Sequence, residues 1–306
     1  MILGSKSPKN FILTMVLLLT VTLNAPYSAI ARDGTTPPNP ALWKLTDEDS
    51  EIYLFGTVHI LNPDLNWRSV KVNDAFALAD TIIFEAPADP QAAQPLIAKH
   101  GLNQPGITLS SMLSRSANQR LADTLKSFGM EGAAANFEPL RPWLVGLSLA
   151  AIQIQAMGGD PNAGVERILS AEAVEAGKTI GYFETDEQQI KFLSGLSPET
   201  EVFFLEDGLR QMAENPDQVT SLLNAWRAGD VPTMSEIVMS GYDDRKESDE
   251  IMEAILTRRN FDWASQIEDL MRGSGTIFIA VGAAHLVGKG SVQVYLSQKG
   301  ITAVRQ

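Results

Sequence analysis

The sequence predicts an α/β protein, a mixed central sheet built from the N- and C-terminal parts of the chain with a large mid-chain helical insertion. Three observations predict it. Short apolar, strand-like runs cluster at the two ends, as in Ile52-Tyr53-Leu54-Phe55 and Ile277-Phe278-Ile279-Ala280-Val281, with one more near residue 180. Helical spacing fills the interval between them. Glycine and proline sit at the joints, where a chain changes from one period to the other.

Residues 1–31 read as a secretory signal. Lys6 and Lys9 give a positive start, and residues 11–23 form an apolar run too short for a comfortable span. Ala29-Ile30-Ala31 offers a small-x-small cleavage site, so the mature chain is expected in the periplasm or secreted. An uncleaved N-terminal anchor is the alternative. No later segment approaches 18 consecutive apolar residues, so no membrane span is expected after cleavage.

Residues 32–41 are a Pro-rich, flexible lead-in, and residues 42–306 are expected to form one domain. Residues 42–45 and 52–55 flank a polar turn and read as a hairpin. Residues 67–79 have helical spacing. Residues 80–85 are a strand, stopped by Pro87. Helices are expected at 90–100, 109–128, 140–157 and 163–176, and Gly177 ends the last of these. Residues 178–184 are a strand. Helices follow at 186–194, 198–214, 217–228, 231–240 and 248–271. After Gly273-Ser274-Gly275 comes a strand, then a helix at 288–299, Gly300 as its terminator, and a last strand at 301–304. The helical insertion thus covers about 88–175 and 186–248.

Composition excludes several classes. At 44% hydrophobic and 20% charged, the chain is ordinary for a globular protein. Its net charge of −13 becomes −15 when residues 1–31, with two lysines and no acid, are removed. That argues against nucleic acid and anionic lipid as partners, both of which need a basic footprint. With no cysteine, disulfides, thiolate nucleophiles and Cys-zinc sites are ruled out.

Two of the three histidines share a frame. Gly56-Thr57-Val58-His59 and Gly282-Ala283-Ala284-His285 each follow an apolar strand-like run. Two other strands end in Glu85 and Glu184. If these strands are parallel neighbours about 4.8 Å apart, the four side chains meet at one sheet edge. Two histidines and a carboxylate suit a divalent ion with positions left for water and substrate. A second carboxylate can act as general base. Other readings stand beside this one. A strand-end histidine can bond a neighbouring carbonyl, Glu85 can cap a helix or pair with an arginine, and Glu184 can help start a helix. Arg258 and Arg259 lie on the long helix, where one can orient Glu85, bind a substrate carboxylate or form a surface pair. His100 reads as a helix C-terminal residue and Arg141-Pro142-Trp143 as a packing element. The run around Lys289 misses the phosphate-loop spacing, and there is no Gly-x-Ser-x-Gly elbow.

These motifs resemble the TraB/GumN family, which includes the TIKI metalloproteases and is distantly similar to erythromycin esterase-like and haem-binding lipoprotein proteins. The likeness covers about residues 40–306. It rests on Leu42-Trp43-Lys44-Leu45, the two Gly-x-x-His motifs, the strand ending in Glu85, residues 177–188 and Arg259-Asn260-Phe261-Asp262-Trp263. The resemblance implies metal-dependent peptide hydrolysis, with His59, His285 and Glu85 holding Mn, Co or Zn. One departure is Gly164-Val165-Glu166, where members often carry Gly-Val-Asp. The expectation is therefore an exported metal-dependent hydrolase acting on a peptide or small-molecule substrate, with His59, His285 and Glu85 holding the ion or its water, Glu184 as base or outer-shell partner and Arg259 as an orienting cation. The alternative is a non-catalytic periplasmic protein that binds or sequesters a peptide signal, haem or another small ligand.

Overall fold

The computed structural model describes residues 37–240 and 244–306. The leader reading (1–31) and residues 32–36 of the lead-in therefore lie outside the described residues. The lead-in's last residues are held in place. Asn39 N–H donates to the Arg227 carbonyl at 2.9 Å, and Ala41 is buried.

Strands β1 (Leu42–Thr46) and β2 (Ser50–Thr57) form the expected hairpin. Its turn is organised by Asp47, whose carboxylate accepts from the Ser50 N–H and hydroxyl at 2.8 and 2.7 Å. Helix α1 (Val70–Leu78) leads to β3 (Thr81–Phe84). The first part of the insertion holds α2 (Pro90–His100), α3 (Leu109–Met112), α4 (Arg115–Ser127), α5 (Ala134–Phe137), α6 (Pro142–Ala156) and α7 (Val165–Glu175). β4 (Thr179–Tyr182) follows. The second part holds α8 (Asp186–Ser194), α9 (Pro198–Glu214), α10 (Gln218–Ala228) and α11 (Val231–Met239). Helix α12 (Lys246–Met252), a π turn (Glu253–Thr257) and α13 (Arg258–Leu270) make one long segment, followed by β5 (Gly275–Gly282), α14 (Val292–Gln298) and β6 (Val304–Arg305).

Three boundaries differ from the sequence reading. The helix expected at 109–128 is broken, because the Ser114 hydroxyl accepts from the Ala117 N–H and starts a new helix. The helix expected at 288–299 begins only at Val292, after a turn at Gly288 with φ +78°. The last strand is Val304–Arg305 rather than 301–304, since Val304 and Arg305 pair with Lys44 and Trp43 of β1 and residues 301–303 do not.

The sheet order is β4-β3-β5-β2-β1-β6. β4, β3, β5 and β2 run parallel, while β1 is antiparallel to both β2 and β6. Alternation divides the core into two layers. Phe55, Phe84, Phe278 and Ala280 pack under the insertion helices. Leu54, Ile83, Ile279 and Val281 pack under α13 and α14, with Trp263 and Leu296. Strands buried on both faces read as continuous apolar runs, which is why β2 and β5 stand out in the sequence. Among the described residues no helix is long and apolar enough to cross a membrane.

One close approach ties the insertion to the sheet. The Val165 N–H donates to the Val58 carbonyl at 3.0 Å. A Cβ on Gly164 would lie 2.1 Å from the His59 carbonyl oxygen, so only glycine fits there. The start of α7 is thereby held against the exit of β2. Gly164→Ala is expected to cost about 1–3 kcal/mol through overpacking. A urea unfolding midpoint equal to that of the parent chain would contradict this contact.

Candidate functional site

The four parallel strands end side by side, and their exits carry the polar residues. Phe84 faces the insertion layer, so strand alternation sends Glu85 towards α13. There Arg259 waits, buried among Glu85, Glu184 and His285. Its guanidinium donates to Glu85 Oε2 at 2.6 Å and to both oxygens of Glu184 at 2.9 and 2.8 Å. A third branch faces His285 Nε2 at 3.1 Å. The π turn directly before α13 widens the helix just where Arg259 must be aimed, and Arg259 also donates to the Ile255 carbonyl at 3.2 Å.

The remaining atoms of this network are satisfied as well. Glu85 Oε1 accepts the Gly282 N–H at 2.6 Å, and Oε2 also accepts from Gln189 at 3.1 Å. Trp263 Nε1 donates to Glu184 at 2.8 Å. His285 Nδ1 meets Asn260 Oδ1 at 2.5 Å, and Asn260 donates its amide to the Gly290 carbonyl. An amide oxygen can only accept, so Nδ1 carries the hydrogen and Nε2 accepts from Arg259. Burial, reinforced by the charge of Arg259, pushes His285 down to about 3, and it stays neutral. For Glu85, burial acts to raise the pKa, but Arg259 and the neighbouring groups bring it to about 2. Burial raises Glu184 despite Arg259.

His59 stands apart from that network. Its Nδ1 lies 3.0 Å from Glu166 Oε1, and the Thr57 hydroxyl donates to the same oxygen. Burial acts to lower the His59 pKa, yet the Glu166 carboxylate outweighs it, with help from Glu85, and raises it. His59 Nε2 and Glu166 Oε2 are buried without a hydrogen-bond partner among the described residues. Both residues line two adjoining cavities. One, of about 80 Å³, also touches Glu85 and Gln189. The other, of about 510 Å³, opens beside Tyr182, Arg167 and Ser170.

The structure thus gathers Glu85, Glu184, Arg259 and His285 into one network and places His59 across a shared cavity from Glu85. Glu184 reaches neither cavity wall. His100 ends α2 and lines neither cavity, and its carbonyl accepts from Arg141 and from Trp143. Sequence reasoning missed Glu166 as the partner of His59. Its signal was the Gly164-Val165-Glu166 motif, but nothing in the sequence reveals that α7 docks on the β2 exit. Asn260, Trp263 and Gln189 were missed too. Trp263 lies four residues after Arg259 and so shares its helix face.

The ion set implied by the family resemblance does not fit this arrangement. His285 Nε2 accepts from Arg259, and both Glu85 oxygens already accept charge-assisted or backbone hydrogen bonds. Among the described residues no three metal-ligating side chains converge. The unpartnered ligand atoms beside the cavities are His59 Nε2 and Glu166 Oε2.

The model of the TraB/PrgY/gumN family matches residues 41–305. The chain belongs to the TraB/PrgY/gumN family. The matched span holds both histidine motifs, Glu166 and the whole Arg259 network, so the cluster lies inside the family's region. No curated protein matches the chain.

Two outcomes follow from the buried charges. Arg259→Ala leaves two buried carboxylates without their cation and should cost about 3–5 kcal/mol in urea unfolding at pH 7. Arg259→Lys should recover only part, because an ammonium cannot serve Glu85 and Glu184 in fork geometry. The second outcome concerns pH. His285 is depressed from 6.5 to about 3, so its contribution is complete above 6.5 and is lost as pH falls towards 3. Glu85 is depressed from 4.5 to about 2, so its contribution is complete above 4.5 and is lost towards 2. The raised His59 contributes fully below 6.5 and does not offset the loss in that window. Glu184, raised above 4.5, gains on acidification and opposes part of this loss, so the check is the difference: between pH 6.5 and 4.5 the parent chain should lose more stability than His285→Gln. An unchanged slope in the variant would refute the neutral His285.

Proposed function

We propose that the chain is an exported hydrolase of peptide bonds in which His59 moves the proton. The observation that carries this reading is the unpartnered Nε2 of His59, at the wall shared by two cavities, with Glu166 at its other nitrogen. A carboxylate at Nδ1 holds the hydrogen there and leaves the Nε2 lone pair free to accept a proton from water. The imidazolium that forms is stabilised by Glu166 and, across the cavity, by Glu85. Glu85 stays anionic because Arg259 and the Gly282 N–H hold it so. In this reading Arg259 and Glu184 position Glu85 and do not touch substrate. The placing outside the cytoplasm rests on the leader-like residues 1–31. The Mn, Co or Zn ion that the family resemblance implies is not part of this reading, because His285 and Glu85 are occupied by Arg259 and the Gly282 N–H.

A peptide library incubated with the mature chain, with and without added Mn²⁺, Co²⁺ or Zn²⁺, tests the reading. His59→Ala should lower kcat by about 10²–10⁴-fold with the fold retained. As a base, His59 must lose its proton, so the rate should rise with pH through its raised pKa. Glu166→Gln removes the group that raises this pKa and leaves burial, which lowers it. The acid limb of the profile should therefore move to lower pH in Glu166→Gln. Saturable peptide binding without cleavage under every metal condition would replace the hydrolase with the binding-protein alternative.

A further inference from the structure

We propose that the smaller cavity beside His59 is a subsite for one aliphatic side chain, of valine or leucine size, on the peptide that His59 acts on. The proposal rests on the hydrolase reading for the word substrate, but the cavity's preference stands on its own observations. One side of the wall is apolar, formed by Ala93 and Ile97 of α2, Trp143, Leu144 and Leu147 of α6, and Ile190 of α8, while polar residues including His59, Glu85 and Glu166 complete the lining. Its volume of about 80 Å³ is roughly half that of a cavity of about 150 Å³ known to take benzene. That size admits a branched aliphatic group and excludes a haem or an indole. Apolar cavity walls hold apolar groups in preference to water.

The acidic residues around the cavity have partners, although Glu166 keeps one oxygen, Oε2, unpartnered beside His59, so the preference for an aliphatic over a lysine side chain rests on the apolar side of the wall. Asp89 accepts from the Gln91 N–H as the N-cap of α2, and Asp186 accepts from the Ala88 N–H at 2.9 Å. Glu85 is held by Arg259, and Glu166 by His59 and Thr57. Two further features mark the wall as built for an occupant. Ala88 lines both cavities and is held at φ +53°, a conformation costly for a residue with a Cβ. Helix α2 has no buried residue among those described, and its half-buried Ala93 and Ile97 face the cavity. Leu96 and Ile97 pack against the core, and an aliphatic side chain in the cavity would add to the apolar contact of Ala93 and Ile97. The larger cavity continues from the same His59 and Glu166, leaving an open path for the rest of an extended chain.

The test is a binding series with N-acetyl-leucinamide, N-acetyl-valinamide, N-acetyl-glycinamide, N-acetyl-phenylalaninamide and N-acetyl-lysinamide, read by saturation-transfer NMR on the mature chain. The leucine and valine probes should bind at least about tenfold more tightly than the glycine and lysine probes. Ala93→Trp, which fills the cavity, should abolish that preference. Leu147→Ala, which enlarges it, should shift preference to the phenylalanine probe, and an unchanged circular dichroism spectrum checks that each variant folds. Equal binding of all probes, a preference for lysine, or a leucine preference that survives in folded Ala93→Trp overturns the subsite. Turnover is not needed for this readout. A leucine preference without cleavage sinks the hydrolase and leaves the subsite, and cleavage without that preference does the reverse.

Discussion

Arg259 is the cation around which the strand exits are organised. Two carboxylates from neighbouring strands, Glu85 and Glu184, would repel one another in a dry interior, and one guanidinium holds both. Its fork geometry also fixes where the β3, β4 and β5 ends lie, because Glu85 takes the Gly282 N–H with its other oxygen. His285 then has a single role open to it. It accepts from Arg259 and donates to Asn260, and a proton on Nε2 would set it against the guanidinium. The cluster is a charge balance in which each member sets the protonation state of the next.

That balance divides two histidines that look equivalent in sequence. His285 is sealed, neutral and fully partnered. His59 lies where β2 leaves the sheet, with a side chain 16% exposed and a carboxylate at one nitrogen only. The first environment depresses the imidazole pKa and the second raises it. A group that is to exchange protons with a ligand near neutrality needs the second environment. The paired motifs thus mark two strand exits, and of the two histidines His59 lines a cavity, whereas beside the second motif a cavity of about 810 Å³ is lined by Ala284 and Asn260 but not by His285.

Much of the fold was legible because its cause is local. β2 and β5 are apolar on both faces, which only a sheet covered on both sides requires. Pro198, Pro142 and Pro90 at helix starts, and Gly229 at the end of α10 with φ +69°, mark boundaries that the structure keeps. The misplaced boundaries have competing local causes, such as the Ser114 cap that splits 109–128. His59, Glu85, Glu184 and His285 were legible as a set because parallel strands put their ends on one edge, whereas Arg259, on α13, was legible only as one of two arginines able to orient Glu85.

The partnerships within the set were not legible. Whether Glu85 meets an ion, a helix end or an arginine depends on a π turn that aims Arg259 and on the docking angle of α13. The pairing of Glu166 with His59 depends on a glycine contact between residues more than a hundred positions apart. By itself the sequence determined the strands, the helices and the chemical inventory at the sheet edge, since period and propensity act over a few residues. Tertiary structure alone decided which carboxylate faces which imidazole and which nitrogen stays free, because hydrogen bonds and buried charges depend on ångström-scale separations set by packing between distant segments.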